Sequence, residues 1–157
     1  MAQSTEIARS PRKPSTIEAA VQKNITRFHI WIYRTTAGRI GHYLGSVPCL
    51  LLTSTGRKTG KQRTTPLTYL QDGDRYVLVA SNGGTLTDPV WWLNLQSQPR
   101  ATIQVGNLTL TVQATMADST ERTRLWPQAV AVYSGYAGYQ RRTPREIPMV
   151  ILSPIPS

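Results

Sequence analysis

Eight basic residues, Lys23, Arg27, Arg34, Arg39, Arg57, Lys58, Lys61 and Arg63, fall in a stretch between Glu18 and Asp72 that contains no carboxylate. Half of them sit in one glycine-punctuated turn, Gly56-Arg57-Lys58-Thr59-Gly60-Lys61-Gln62-Arg63, between the apolar run Leu50-Leu51-Leu52 and a second strand-like segment. Glycine lets backbone come close to a ligand, and unopposed cations select an anionic one, so the chemistry on offer is an anion cradle. The turn is not a nucleotide P-loop. Gly56 and Gly60 are separated by three residues rather than four, Gln62 stands where Ser or Thr would hold magnesium, and a strand follows instead of a helix. A solvated hairpin tip would use the same residues, so the turn alone leaves both readings open.

Three further groups could serve a ligand. Ala80-Ser81-Asn82-Gly83-Gly84 places small residues at a strand end, where backbone amides can face a flat or anionic group. A flexible connection needs the same composition. Trp91 and Trp92 follow on a short helix, where one packs inward and the other can wall a planar ligand; core packing accounts for either taken singly. Tyr133, Tyr136 and Tyr139, bracketed by Gly135 and Gly138, offer flat apolar bodies with phenolic donors, suited to an aromatic or quinone-like substrate or to packing against a sheet. His29 and His42 have no Cys or carboxylate at metal-ligand spacing, so no metal site is expected. The eight carboxylates are scattered, Cys49 lies on an apolar run, and no acid–base pair is visible. A chain without catalytic groups of its own, yet with a cradle and aromatic walls, suits an enzyme whose cofactor carries the chemistry.

The elements that must position these groups follow from pattern. Residues 1–14 mix Ser, Arg, Lys and Pro and read as a disordered basic tail, leaving 15–157 as one domain. Ser15 and Glu18 form a capping box for a helix over 15–37, with Ile17, Val21, Ile25, Phe28 and Ile32 in one apolar stripe. Trp31 and Tyr33, with Arg27, Arg34 and Arg39, look like a face for a membrane surface, although packing over the body of the protein accounts for the helix as well. Strands are predicted over 49–54, 64–71 and 75–80, the last two joined by the Asp72-Gly73-Asp74 turn. Asp88 and Pro89 read as N-cap and first residue of a helix ending near Gln98. Residues 101–105 and 108–116 alternate around Gly106-Asn107 as a hairpin. Asp118 and Glu121 cap a helix that Pro127 can kink, a tyrosine-rich loop follows, and 147–153 form the last strand. Hairpin-joined strands favour an antiparallel sheet closing into a small barrel with helices outside it. A net charge of +10 directs attention to anionic partners. The single cysteine and the lack of a spanning or signal-like run lead to the expectation of a cytoplasmic protein.

Read together, the motifs resemble the deazaflavin-dependent nitroreductase family, the split-barrel reductases that use coenzyme F-420. The resemblance is carried by Leu51-Leu52-Thr53-Ser54-Thr55-Gly56-Arg57-Lys58-Thr59-Gly60, Arg63-x-x-Pro66-Leu67 and Val79-Ala80-Ser81-x-Gly83-Gly84. Pro89-x-Trp91-Trp92-x-Asn94-Leu95, Tyr133-x-x-Tyr136-x-x-Tyr139 and Arg145-x-Ile147-Pro148 complete it, in order along the chain. It implies an α+β, mainly β fold: an antiparallel, FMN-binding-like split β-barrel with peripheral helices. It also implies a coenzyme whose tail carries a phosphate and several glutamates, paired with Arg57, Lys58 and Arg63. By the same resemblance Pro66, Ala80, Ser81 and Gly83 line the deazaflavin, Trp91 and Asn94 adjoin it, and the three tyrosines position the acceptor or supply a proton. The implied reaction is hydride transfer from the reduced deazaflavin to a quinone or a nitroaromatic compound such as a nitroimidazole. Asn82 stands where relatives often carry lysine, and Thr68 where an aromatic is common, which is expected to leave the pocket more open there. FMN is the second choice of cofactor. A non-catalytic carrier of F-420, flavin or fatty acid is the alternative function, because split barrels host carriers too. Nucleic acid is not expected as a partner, since the cations gather in one turn rather than along a face.

Overall fold

The computed structural model describes residues 15–156; the expected basic tail lies outside them. Helix α1 (Thr16–Thr35) begins with the predicted capping box: the Ser15 hydroxyl accepts from the Glu18 amide, and Glu18 returns the bond to the Ser15 amide at 2.6 Å. At its other end Tyr33 is fully buried, donating from its hydroxyl to the Cys49 carbonyl (3.1 Å) and accepting from the Gly106 amide (2.8 Å). Tyr33 therefore anchors the helix to the barrel and is no part of an interfacial face. The following turn approaches so closely that a Cβ on Gly38 would lie 2.4 Å from the Gly106 Cα, which only glycine permits.

The strands are β1 (Tyr43–Leu44), β2 (Val47–Thr55), β3 (Gln62–Thr68), β4 (Leu70–Asp72), β5 (Arg75–Val79), β6 (Arg100–Val105), β7 (Leu108–Met116) and β8 (Met149–Pro154). All pairings are antiparallel, in the order β1-β2-β6-β7-β8-β5-β4, with β3 on the other edge of β2. The predicted strand over 64–71 is two strands. At Tyr69 the chain leaves the β2 ladder, and β4 joins β5 instead, so the β3–β4 segment carries the sheet around towards closure. Its edge position tolerates Pro66, which has no amide hydrogen to give a ladder. This is the expected split β-barrel.

Alternation sorts the side chains into two cores. On β5 and β8, Tyr76, Leu78, Val150 and Leu152 point into the barrel with Leu50, Leu52, Ile103, Trp91 and Trp92. Val77, Met149 and Ile151 point outward and are covered by Leu125, Ala129 and Tyr136. With both faces buried, these strands are continuous apolar runs rather than alternating ones. The covering helices are α3 (Ser119–Val132), which runs through Pro127, and α4 (Gly135–Arg142), which replaces the expected tyrosine loop. Helix α2 (Val90–Ser97) is capped by Pro89 without a side-chain bond. The expected cap, Asp88, instead pairs with Arg145 at 2.8 Å, a bond in which both partners are charged.

Candidate functional site

A cavity of about 1260 Å³ opens between α1, the β2–β3 turn and the start of α2. Lys23, Arg27, Arg34, Arg57, Lys58 and Arg63 line it, opposed by the single carboxylate of Glu18, which is already engaged in the capping box. Three of the turn's four cations thus face one cavity with three from α1, Lys61 does not line it, and among the described residues none of the six forms an ion pair. The turn is held from within: the Gly56 amide donates to the Lys61 carbonyl (2.8 Å) and the Gly60 amide to the Gly56 carbonyl (2.8 Å). A Cβ on Gly56 would lie 3.1 Å from that Lys61 carbonyl, so glycine is what lets the turn close.

Asn94 and Trp91 form the cavity floor. Asn94 is buried on α2, and its side-chain oxygen accepts from the Arg57 amide at 3.2 Å and the Arg57 guanidinium at 3.4 Å. It sets where the cradle begins. Sequence reasoning missed Ser54, which continues the inward phase of Leu50 and Leu52 but ends in the cavity. Its hydroxyl is 1% exposed and has no hydrogen-bond partner. A buried, unpaired hydroxyl costs roughly 1–3 kcal/mol, so a group entering the cavity gains by pairing with it. A polar residue in the inward phase of an apolar strand was the available signal.

Pro66, Ala80, Ser81 and Gly83 do not line this cavity. Pro66 lies on β3, on the face it shares by alternation with Thr64 and Thr68. Both neighbours are held: the Arg34 guanidinium donates to the Thr64 hydroxyl (3.0 Å), and Thr68 and Tyr136 join their hydroxyls at 2.6 Å. Pro66 therefore sits between the anchor points of α1 and α4. Thr68 thereby ties down a tyrosine. Ala80 and Ser81 are buried after β5, and Gly83 follows in a 3-10 turn over Asn82–Gly84 at a φ of 65°. A Cβ on Gly84 would meet the Tyr139 carbonyl at 2.6 Å, so α4 rests directly on this turn.

Arg145 fastens the same loop and had been given no role from sequence. Its guanidinium donates to the carbonyls of Thr85 (2.8 Å), Ala80 (3.2 Å) and Ser81 (2.9 Å), and to Asp88 (2.8 Å). One planar fork thereby fixes both ends of residues 80–88.

The structure brings the three tyrosines together, with ring centroids 5.0 to 6.4 Å apart. Their environments differ. Tyr136 is 6% exposed in the outer core, and burial raises its phenol above the usual value, offset in part by the Thr68 bond. Tyr133 and Tyr139 are only half-buried and share a hydroxyl contact of 3.1 Å. That bond, and then burial, raise the Tyr139 phenol, so it holds its proton at neutral pH. Burial likewise pushes the Cys49 thiol up to about 12, which leaves it without nucleophilic character. No cluster able to hold a metal ion occurs among the described residues.

Comparison with known proteins places this architecture. The family described as F420H(2)-dependent quinone reductase matches residues 25–154. An F420H(2)-dependent quinone reductase of Mycobacterium tuberculosis is 43% identical over 142 residues, covering 87% of this chain and 95% of that protein. Among solved structures, an F420-H2 dependent reductase is similar at 37% identity and a TM-score of 0.63, covering 68% of this chain and 94% of the other. One described as a domain-swapped dimer is similar at 32% identity and 0.66, covering 88% and 100%. The chain belongs to the F420H(2)-dependent quinone reductase family.

Proposed function

We propose that this protein is an oxidoreductase that binds reduced coenzyme F-420 and reduces a quinone or a nitro compound. The observation that carries the reading is the cavity in which six cations face one engaged carboxylate. The donor set fits the coenzyme: guanidinium and ammonium groups for a phosphate and carboxylates, and the unpartnered Ser54 hydroxyl beside them. Arg57, Lys58 and Arg63 would hold the anionic tail. From Thr64, which lines the cavity, to Thr68 on the same face, the strand advances four residues, roughly 14 Å at about 3.4 Å each. Cradle and tyrosine cluster thus suit two ends of an elongated ligand. Pro66, Ala80, Ser81 and Gly83 lie towards the tyrosine end, with Trp91 and Asn94 at the cradle end.

When bound, the reduced deazaflavin supplies a hydride. The chain's part is to align donor and acceptor face to face and to deliver a proton. Tyr139 and Tyr133 present phenolic hydroxyls that can hydrogen-bond an acceptor oxygen and give it the proton that, with the hydride, completes a hydroquinone. Tyr136, bound to Thr68, keeps the cluster in place.

The position of α1 supports a membrane-peripheral site for this reaction. Ile17, Val21, Ile25, Phe28 and Trp31 are 52–77% exposed along one stripe, and the Phe28 and Trp31 rings stack at 6.0 Å. No helix among the described residues is long and apolar enough to cross a membrane, so contact would be by lying on its inner face, from the cytoplasm. Co-sedimentation with anionic vesicles should be lost on Phe28→Asp; retention would remove this part of the reading.

The direct test is a fluorescence titration with F-420 beside FMN at low and moderate salt. Binding of F-420 that weakens with salt is expected. Binding of FMN alone would overturn the cofactor assignment, and binding of F-420 without turnover of any quinone or nitro acceptor would leave a carrier.

A further inference from the structure

Helix α1 stands the wrong way round for a helix that only packs. At 3.6 residues per turn, Ile17, Val21, Ile25 and Phe28 fall in one sector and Lys23, Arg27 and Arg34 in another. The apolar sector faces solvent, while the cationic sector, itself exposed, lines the cavity. Tyr33 at the barrel and Arg34 on Thr64 hold the helix in this orientation. The result is a wall of cations facing the cations of Arg57, Lys58 and Arg63 across open space. Like charges so arranged repel, and an anion between them relieves the repulsion.

The spacing says what shape of anion. Along the helix axis Lys23 and Arg27 are separated by about 6 Å, and Arg27 and Arg34 by about 10 Å, at about 1.5 Å per residue. Lys23 and Arg27, one turn apart, can share a compact phosphate, but Arg34 lies about two turns further on and beyond its reach. An extended chain bearing several carboxylates reaches all of them.

We propose that α1 is the second jaw of the site: the β2–β3 turn takes the phosphate, and Lys23, Arg27 and Arg34 take the carboxylates further along an extended polyanionic tail. This rests on the coenzyme reading above and adds the residues that sense tail charge. It also makes the ligand a brace for α1, joining the helix to the turn across the cavity.

The test uses two probes, F-420 with several glutamates and an analogue that keeps the phosphate but lacks them. Affinities are measured for the wild-type chain and for a Lys23→Gln/Arg27→Gln variant, which leaves the Arg34–Thr64 tether in place. Wild type should prefer the glutamylated form by about tenfold or more, as two charge-assisted contacts imply. The variant should lose that preference and keep its affinity for the analogue. In parallel, the glutamylated form should slow tryptic cleavage after Lys23 and Arg27 in wild type, and the analogue should not. A variant that discriminates as well as wild type, or a wild type that binds both probes equally, overturns the clamp and leaves the coenzyme assignment standing. A wild type that binds neither overturns both.

Discussion

Two regions of this molecule use the same side chains in opposite ways. Around the β4–β5 turn every cation has its anion. Asp72 takes a bidentate pair from Arg124 (2.8 and 2.9 Å) and a bond from Arg75 (2.5 Å), while Arg75 also reaches Glu121 (3.0 Å). In the cavity under α1, six cations share one carboxylate that is already occupied. The first arrangement is complete as folded and its charges stabilise the chain. The second is incomplete as folded, and its charges favour a complex. Net charge does not distinguish them; the location of the eight carboxylates does.

The largest expected effect comes from the compensated side. Arg145→Gln removes the fork that holds Ala80, Ser81, Thr85 and Asp88 and strands the Asp88 carboxylate. Stability should fall by about 3 kcal/mol in urea unfolding, with loss of turnover as the 80–88 loop loosens. The opposite signature is expected in the cavity. Arg57→Gln/Arg63→Gln should weaken F-420 binding about 100-fold, through two charge-assisted contacts, while the melting temperature holds or rises. A fall in stability there would place these cations with the structural ones and dissolve the contrast.

Tyr139→Phe is expected to lower turnover about tenfold or more with little change in coenzyme affinity, since it removes a proton donor and leaves the ring. Tyr136→Phe should instead cost about 1 kcal/mol of stability through the Thr68 bond. Equal turnover in wild type and Tyr139→Phe would end the assignment of that phenol.

Smaller still, Asp72→Asn should cost roughly 1 kcal/mol near neutral pH without touching coenzyme affinity. The sign with pH is determinate. Bonds from Arg124 and Arg75 hold this carboxyl below its ordinary value of 3.8, so its contribution is full above that pH and disappears as pH falls through the folded value. Wild type and variant should therefore converge in acid. At the alkaline end the raised Cys49 thiol acts in the other direction: its contribution is full below about 9 and is lost as pH rises towards 12. Iodoacetamide at pH 8 should label the unfolded chain and spare the native one.

Local chemistry was legible wherever it depended on neighbours in the chain. The Ser15–Glu18 box, the Gly106-Asn107 hairpin, the glycine-bounded cradle and the two-period strands all follow from torsional preference and alternation, which act over a few residues. The antiparallel barrel was implied by short connections and by the family motifs. What a side chain pairs with at long range was not legible. Asp88 reads as a cap because Pro89 follows it, but Arg145, distant in sequence, offers it a partner of opposite charge. Nothing near Thr68 in sequence announces its bond to Tyr136. Tyr33 reads as a surface aromatic and is fully buried.

Helix α1 draws the line most plainly. Its length, its cap and the separation of its apolar and cationic sectors are set by residue order, because a 3.6-residue repeat converts spacing into direction. Which sector faces the cavity is not, since either rotation satisfies the helix itself. Tertiary contacts at Tyr33, Arg34 and the Gly38–Gly106 approach made that choice, turning an amphipathic segment into one wall of the cationic cavity.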